Sequence, residues 1–120
     1  MEKTILIVDD DSAILDTLDL ALSTDFSVQL ISNPEQLELH LENYLPDLFL
    51  IDYGLPYKDG FTLCKELKID ERTQHIPVIL FSANRISEII LRDSKCDGFI
   101  QKPFELWQLE LVLKKHLYNG

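Results

Sequence analysis

Apolar residues fall in five short blocks along this chain, each followed by a stretch whose apolar positions recur at helical spacing. Thr4-Ile5-Leu6-Ile7-Val8 is unbroken and rich in β-branched side chains, the pattern of a strand buried on both faces. Val28 to Ile31, Leu48-Phe49-Leu50-Ile51, Pro77-Val78-Ile79-Leu80-Phe81 and the brief Gly98-Phe99-Ile100 repeat that character. Ser12 is placed to cap a helix reaching about Ser23, with Ile14, Leu18, Ala21 and Leu22 on one face. Pro34, at a first helical position after Asn33, opens a second helix carrying Leu37 and Leu41, which Pro46 closes. The turn-rich run Tyr53-Gly54-Leu55-Pro56-Tyr57-Lys58-Asp59-Gly60 precedes a third helix from Phe61 to about Ile69. A fourth helix covers about Arg85 to Asp93, and a fifth runs from about Phe104 to Leu117. Five alternations of strand and helix predict an α/β fold, a parallel sheet covered on both sides, because parallel crossovers are right-handed and helical. No repeat, linker or low-complexity segment interrupts the pattern, so residues 1–120 read as one domain.

Composition narrows the setting. With 120 residues, 46% hydrophobic and 27% charged, the chain has an ordinary globular make-up and can bury roughly two-thirds of its unfolded surface. No apolar run approaches the ~18 residues that cross a bilayer, and Met1-Glu2-Lys3 leads straight into the first strand without a signal-peptide pattern. A cytoplasmic protein without membrane contact is expected. Cys64 and Cys96 lack CxxC spacing and read as reduced, semi-buried thiols. The formal net charge of −10 argues against direct binding of nucleic acid or anionic lipid by this domain. It suits an acidic cation pocket, a basic partner surface or a plain solvated acidic face.

Ligands of open parallel sheets sit beyond the carboxyl ends of the strands. There the first strand ends in Asp9-Asp10-Asp11, the third in Asp52 and the fourth in Ser82, and the fifth leads to Lys102. Carboxylates gathered at one rim raise one another's pKa unless a cation lies among them. A hard divalent ion such as magnesium takes one or two carboxylates plus waters and phosphate oxygens. Phosphoryl transfer needs mainly positioning and charge neutralisation, so a nucleophilic carboxylate, a metal and an ammonium suffice. The plainer alternative is that Asp9 to Asp11 cap the first helix and Asp52 begins a turn.

The segments Ile5-Leu6-Ile7-Val8-Asp9-Asp10, Leu50-Ile51-Asp52-Tyr53-Gly54-Leu55-Pro56 with Asp59-Gly60, Phe81-Ser82-Ala83 and Lys102-Pro103-Phe104 resemble the signature blocks of response-regulator receiver domains of two-component systems, the CheY-like superfamily. The resemblance runs in order over essentially the whole chain. It implies a doubly wound five-stranded parallel sheet, flavodoxin/CheY-like with strand order 2-1-3-4-5, and five helices. It implies a phosphorylation-activated switch in which Asp52 accepts a phosphoryl group from a sensor histidine kinase or a histidine phosphotransfer protein. The only chemistry implied is autocatalytic phosphotransfer and self-dephosphorylation. Asp10, Asp52 and the backbone carbonyl of Gly54 would hold magnesium, for which manganese substitutes, while Asp9 would act largely through a bound water. Asp11 would be a cap or surface residue. Lys102 would pair with Asp52 at rest and with the phosphoryl oxygens after transfer, its bond to Pro103 being cis. Ser82 would hydrogen-bond the phosphoryl group and move toward it, freeing space for the switch aromatic Phe99, which otherwise reads as a plain core residue.

Two departures bear on this. The stretch from Ser82 to Phe99 is shorter than usual for the family, at the cost of the fourth helix, and Lys95 stands where a glycine usually ends that helix. Gly54 and Asn84 occupy positions that tune the access of water to the phosphoryl group. In the fifth helix, 100° spacing puts Leu106, Leu109, Leu113 and Leu117 on the core face and points Trp107 and Leu111 away from it. That pair either forms a docking patch, suited to a phosphorylation-dependent homodimer, or widens the buried stripe.

Three other readings are weaker. A haloacid-dehalogenase-type phosphohydrolase also starts strand, Asp-x-Asp, but 120 residues leave no room for its cap. Ser12-Ala13 also replace its Thr or Val, and Asp52 goes unexplained. A flavodoxin-type carrier needs a hydroxyl- and glycine-rich phosphate loop where three aspartates stand. A receiver-like fold that no longer takes phosphate conflicts with the presence of all five active-site side chains.

Overall fold

The computed structural model describes residues 2–56 and 58–118. Tyr57, within the turn after the third strand, lies outside the described residues, as do Met1, Asn119 and Gly120. The elements are β1 (Thr4–Val8), α1 (Ser12–Leu22), β2 (Ser27–Ile31), α2 (Glu35–Leu41), β3 (Leu48–Asp52), α3 (Gly60–Ile69), β4 (Val78–Ser82), α4 (Glu88–Ser94), β5 (Gly98–Gln101) and α5 (Leu106–Tyr118). All strands pair in parallel, in the order β2-β1-β3-β4-β5.

The alternation of side chains along the strands divides the core into two layers. Leu6, Val8, Phe49, Ile51, Val78 and Leu80 face Leu37 and Leu41 of α2 and Leu63, Cys64 and Leu67 of α3. Ile5, Ile7, Leu48, Leu50, Ile79 and Phe81 face Leu15, Leu18 and Leu22 of α1 and Leu109 and Leu113 of α5. The three inner strands are therefore apolar at nearly every position, whereas β2, at the sheet edge, carries the mixed Ser27-Val28-Gln29-Leu30 pattern of a strand with one side in water. Each fully buried aliphatic or aromatic side chain contributes about 1.5–3 kcal/mol, which makes these two layers the main source of stability.

Several expected boundaries shift for local reasons. Asp11, not Ser12, caps α1, its side chain accepting from the Ala13 and Ile14 amides, so Ser12 is already helical. The Asn33 side chain accepts from Glu35 N at 3.0 Å, and α2 begins at Glu35, one residue beyond Pro34. Ser87, a good cap, starts α4 at Glu88 rather than near Arg85, leaving a seven-residue helix. Its C-cap is Lys95 at φ 62°, a left-handed residue. Ser94 holds that cap in place: its hydroxyl accepts from Cys96 N at 3.1 Å and donates to Leu91 O at 2.6 Å. α5 begins at Leu106, which is 43% exposed and so off the core face where helical spacing put it. Phe104, just before the helix, packs against the core in its stead.

Both cysteines are free thiols, Cys64 buried and Cys96 half-buried. Burial pushes the Cys64 thiol up to about 12. Among the described residues no helix is long and apolar enough to cross a membrane.

Candidate functional site

Backbone bonds carry the strand ladder one residue past the strand ends and thereby place the rim. Asp9 N donates to Ile31 O at 3.1 Å, so Asp9 is held against β2 and is only 1% exposed. Its Oδ1 accepts from Asp11 N at 2.9 Å, while Asp11 in turn caps α1. Asp52 closes β3 opposite Phe81 of β4, and Tyr53 N donates to Phe81 O at 2.9 Å. Gly54 N approaches Asp52 Oδ1 at 3.3 Å. Lys102 N donates to Ser82 O at 2.8 Å, fixing the residue after β5 beside the end of β4. The buried Ser82 hydroxyl accepts from Asn84 N at 3.0 Å. The Lys102–Pro103 peptide is cis.

One further residue is required by the geometry. A Cβ on Gly60 would lie 2.7 Å from both Asp52 O and Tyr53 Cα, and Gly60 N donates to Tyr53 O at 2.8 Å. Only glycine lets the start of α3 come that close behind the Asp52 backbone.

The rim gathers charge that it does not balance. Asp9, Asp10 and Asp52 each offer an oxygen, all within 4.8 Å of one another. Asp9 Oδ2 is buried and has no hydrogen-bond partner. Burial first, then the charges of Asp52 and Asp10, push the Asp9 carboxyl above its ordinary value, against the lowering effects of the Asp11 amide and Lys102. The Lys102 ammonium lies 3.7 Å from Asp9 Oδ2 and 3.8 Å from Asp52 Oδ1. These are ion-pair contacts too long for hydrogen bonds. The same ammonium sits 4.6 Å from the centre of the Phe81 ring. Three carboxylates against one ammonium, with an orphaned buried oxygen among them, form a donor set that fits a hard divalent cation.

The structure thus brings Asp9, Asp10, Asp52, Gly54, Ser82 and Lys102 to one rim, and Asp11 beside it as a cap. Phe99 is elsewhere. It pairs with Leu80 from the edge strand β5, is half-buried on the α2–α3 face, and lines a cleft of about 580 Å³ with Ile86, Leu91 and Gln101. Trp107 and Leu111 are 64% and 65% exposed on α5 and are not part of the buried stripe. Sequence reasoning did not single out Phe81 and Gly60. Both stand in the segments that carry the family resemblance, but Phe81 reads there as one more apolar strand residue and Gly60 as part of a turn.

A family model described as "Response regulator receiver domain" matches residues 5–114. The transcriptional regulatory protein KdpE of Staphylococcus aureus is 36% identical over 119 residues, covering 95% of this chain and 49% of KdpE. The polar-differentiation response regulator DivK of Brucella ovis is 32% identical over 121 residues, covering 98% of each. A crystal structure of a putative response regulator from Chloroflexus aurantiacus superposes with a TM-score of 0.90 at 30% identity, covering 98% of both chains. The chain spans about half the length of KdpE and nearly all of DivK.

Proposed function

The chain belongs to the response-regulator receiver family, the signalling switches of two-component systems that histidine kinases phosphorylate, and on that footing we propose that Asp52 is its phosphoacceptor. The observation that carries the assignment is the orphaned Asp9 Oδ2 beside Asp52 and Asp10, with Lys102 at ion-pair distance from two of the three. A carboxylate at a strand end, backed by an ammonium and room for a divalent ion, is equipped to receive an anion.

Asp10, Asp52 and the Gly54 carbonyl would hold the metal, and Asp9 would act on it largely through water. Magnesium, with manganese as a substitute, neutralises charge on the phosphoryl oxygens when bound. The Asp52 carboxylate attacks the phosphorus of a phosphohistidine on a sensor kinase or phosphotransfer protein. As the new P–O bond forms the P–N bond breaks, and its electron pair stays on the imidazole nitrogen, which takes up a proton. Lys102 moves from the carboxylates to the phosphoryl oxygens, and Ser82, whose hydroxyl oxygen accepts from Asn84 N, turns its O–H to donate to them. The domain does no further chemistry than this transfer and its own dephosphorylation.

Acetyl phosphate tests the assignment without a kinase, since acetate leaves as the same P–O bond forms. Intact-mass measurement is expected to show one phosphoryl adduct that EDTA and Asp52→Asn each abolish. An adduct that survives either change overturns the reading.

Phosphorylation acts by its differential contacts in the two states, here with Ser82 and Lys102. Inward motion of Ser82 opens space for Phe99 and reshapes the α4–β5–α5 surface. The exposed pair Trp107 and Leu111 then supports symmetric pairing of activated copies. Light scattering is expected to show a dimer with beryllofluoride and magnesium that Trp107→Ala abolishes. An activated protein that stays monomeric at high concentration refutes this part.

A further inference from the structure

We propose that Phe81 is a positioning residue for Lys102, its ring face holding the ammonium between Asp9 and Asp52 and off the attacking carboxylate. The proposal rests on the reading of Lys102 as the cation that meets the phosphoryl group. Lys102 Nζ lies 4.6 Å from the Phe81 ring centre, within the range of a cation–π contact. It makes no hydrogen bond to either carboxylate, standing 3.7 Å from Asp9 Oδ2 and 3.8 Å from Asp52 Oδ1. Charge-assisted N–H···O bonds are normally about 2.7–2.9 Å, so the ammonium stands about 1 Å short of collapse onto either partner.

Among the described residues no hydrogen bond of the Lys102 ammonium accounts for that stand-off, whereas the ring contact does. Phe81 is 1% exposed, and its own ring is fixed edge-to-face against Phe104, with centres 6.4 Å apart at 89°. Its register on β4 is directly opposite Asp52, so the residue whose ring faces the lysine also neighbours the acceptor strand. A lysine clamped on Asp52 would cover the oxygen that must attack phosphorus and fill the space that the phosphoryl group enters. An aromatic face attracts the ammonium without forming a bond that must later break. A leucine would fill a buried strand position as well as Phe81 but would exert no such pull.

The test is a double-mutant cycle on adduct formation from acetyl phosphate at saturating magnesium, with beryllofluoride half-saturation by calorimetry as the second readout. Phe81→Leu is expected to slow phosphorylation and weaken beryllofluoride binding roughly three- to tenfold, the scale of one partly desolvated cation–π contact. Pentafluorophenylalanine in place of Phe81 keeps the shape and reverses the charge of the ring face, and is expected to act in the same direction. Both effects should vanish in a Lys102→Met background. Equal losses with and without Lys102, or no loss from either ring change, overturn the proposal. A Lys102→Met protein that phosphorylates at the parent rate overturns the reading of Lys102 itself and this proposal with it. Thermal midpoints on the same variants separate lost packing from lost positioning.

Discussion

At the end of the sheet where the strands begin, Asp47 and Asp97 are absorbed into the backbone. Asp47 N donates to Thr4 O at 2.8 Å, and its carboxylate accepts from Thr4 N at 2.7 Å. Asp97 does the same to Val78, its amide donating at 2.8 Å and its Oδ2 accepting at 2.8 Å, and also meets Lys68 at 2.6 Å. At the opposite end, Asp9 leaves one buried oxygen without a hydrogen bond, and Asp52 Oδ1 has a single 3.3 Å amide contact. The residue type and the sheet are the same, and the satisfaction of the carboxylates differs. Carboxylates that complete a ladder belong to the scaffold, whereas those left short of partners are held for a ligand.

The sharpest way to break this comparison is to remove a satisfied carboxylate. Asp97→Ala leaves the Lys68 ammonium, whose side chain is only 10% exposed, with Ile76 O alone, and leaves Val78 N unpaired. A loss of about 2–3 kcal/mol in unfolding free energy is expected, the cost of orphaning a largely buried charge and an amide. Beryllofluoride affinity of the folded variant should stay within about twofold of the parent, since no bond from Asp97 reaches the other rim. A selective loss of affinity at unchanged stability would refute the division between the two ends.

Removing an unsatisfied carboxylate should do the reverse. Burial, more than the neighbouring charges, holds the Asp9 carboxyl above its ordinary 3.8. The metal-free folded protein therefore binds that proton more tightly than the unfolded chain does. The stability this group supplies is present in acid and is lost as pH rises from 3.8 through the raised value. At neutral pH the ionised Asp9 is a burden that a divalent cation lifts. Asp9→Asn is thus expected to stabilise the metal-free protein at pH 7 and to shrink the rise in thermal midpoint that magnesium gives the parent. That rise should itself fade as the pH approaches 3.8. Denaturant titrations at pH 7 and thermal midpoints from pH 7 down toward 4, each with magnesium or EDTA, read all three; a destabilised metal-free Asp9→Asn protein would make Asp9 a scaffold residue.

This contrast was half legible beforehand. The apolar blocks gave the strands, and the rule that ligands gather at carboxyl ends picked out Asp9, Asp10, Asp52, Ser82 and Lys102 without any side-chain geometry. Asp47 and Asp97 could not be recognised as ladder-completing, because their partners Thr4 and Val78 are brought to them by pairing across the sheet. The Phe81 ring was hidden for the same reason: a strand residue's neighbours belong to other strands. Errors at helix starts were local contests. Ser12 and Asp11 are both good caps, and Asp11 won because its carboxylate reaches two amides. Leu106 fits the helical stripe by angle, yet it opens the helix before the first turn is seated, and Phe104 fills that part of the core.

The smallest expected effect concerns the scaffold end alone. Lys95 holds φ 62°, ψ 24°, a conformation in which its Cβ crowds its own backbone. It is kept there by the buried Ser94, whose hydroxyl ties Leu91 O to Cys96 N, and by the Cys64 thiol lying 3.3 Å from Ser94 O. The bend is needed because the chain must turn from α4 straight into Asp97 and β5. Lys95→Gly removes the crowding, and its greater freedom in the unfolded chain offsets part of the gain. A net stabilisation of about 0.5–1 kcal/mol by denaturant titration is expected. The rate of Asp52 phosphorylation should not change, because α4 meets the rim through no bond from this cap. Lys95→Ala serves as the control: it keeps the Cβ, and so should recover none of that stability. If it gains as much as the glycine variant, the benefit comes from deleting a charge and not from relieving the left-handed turn.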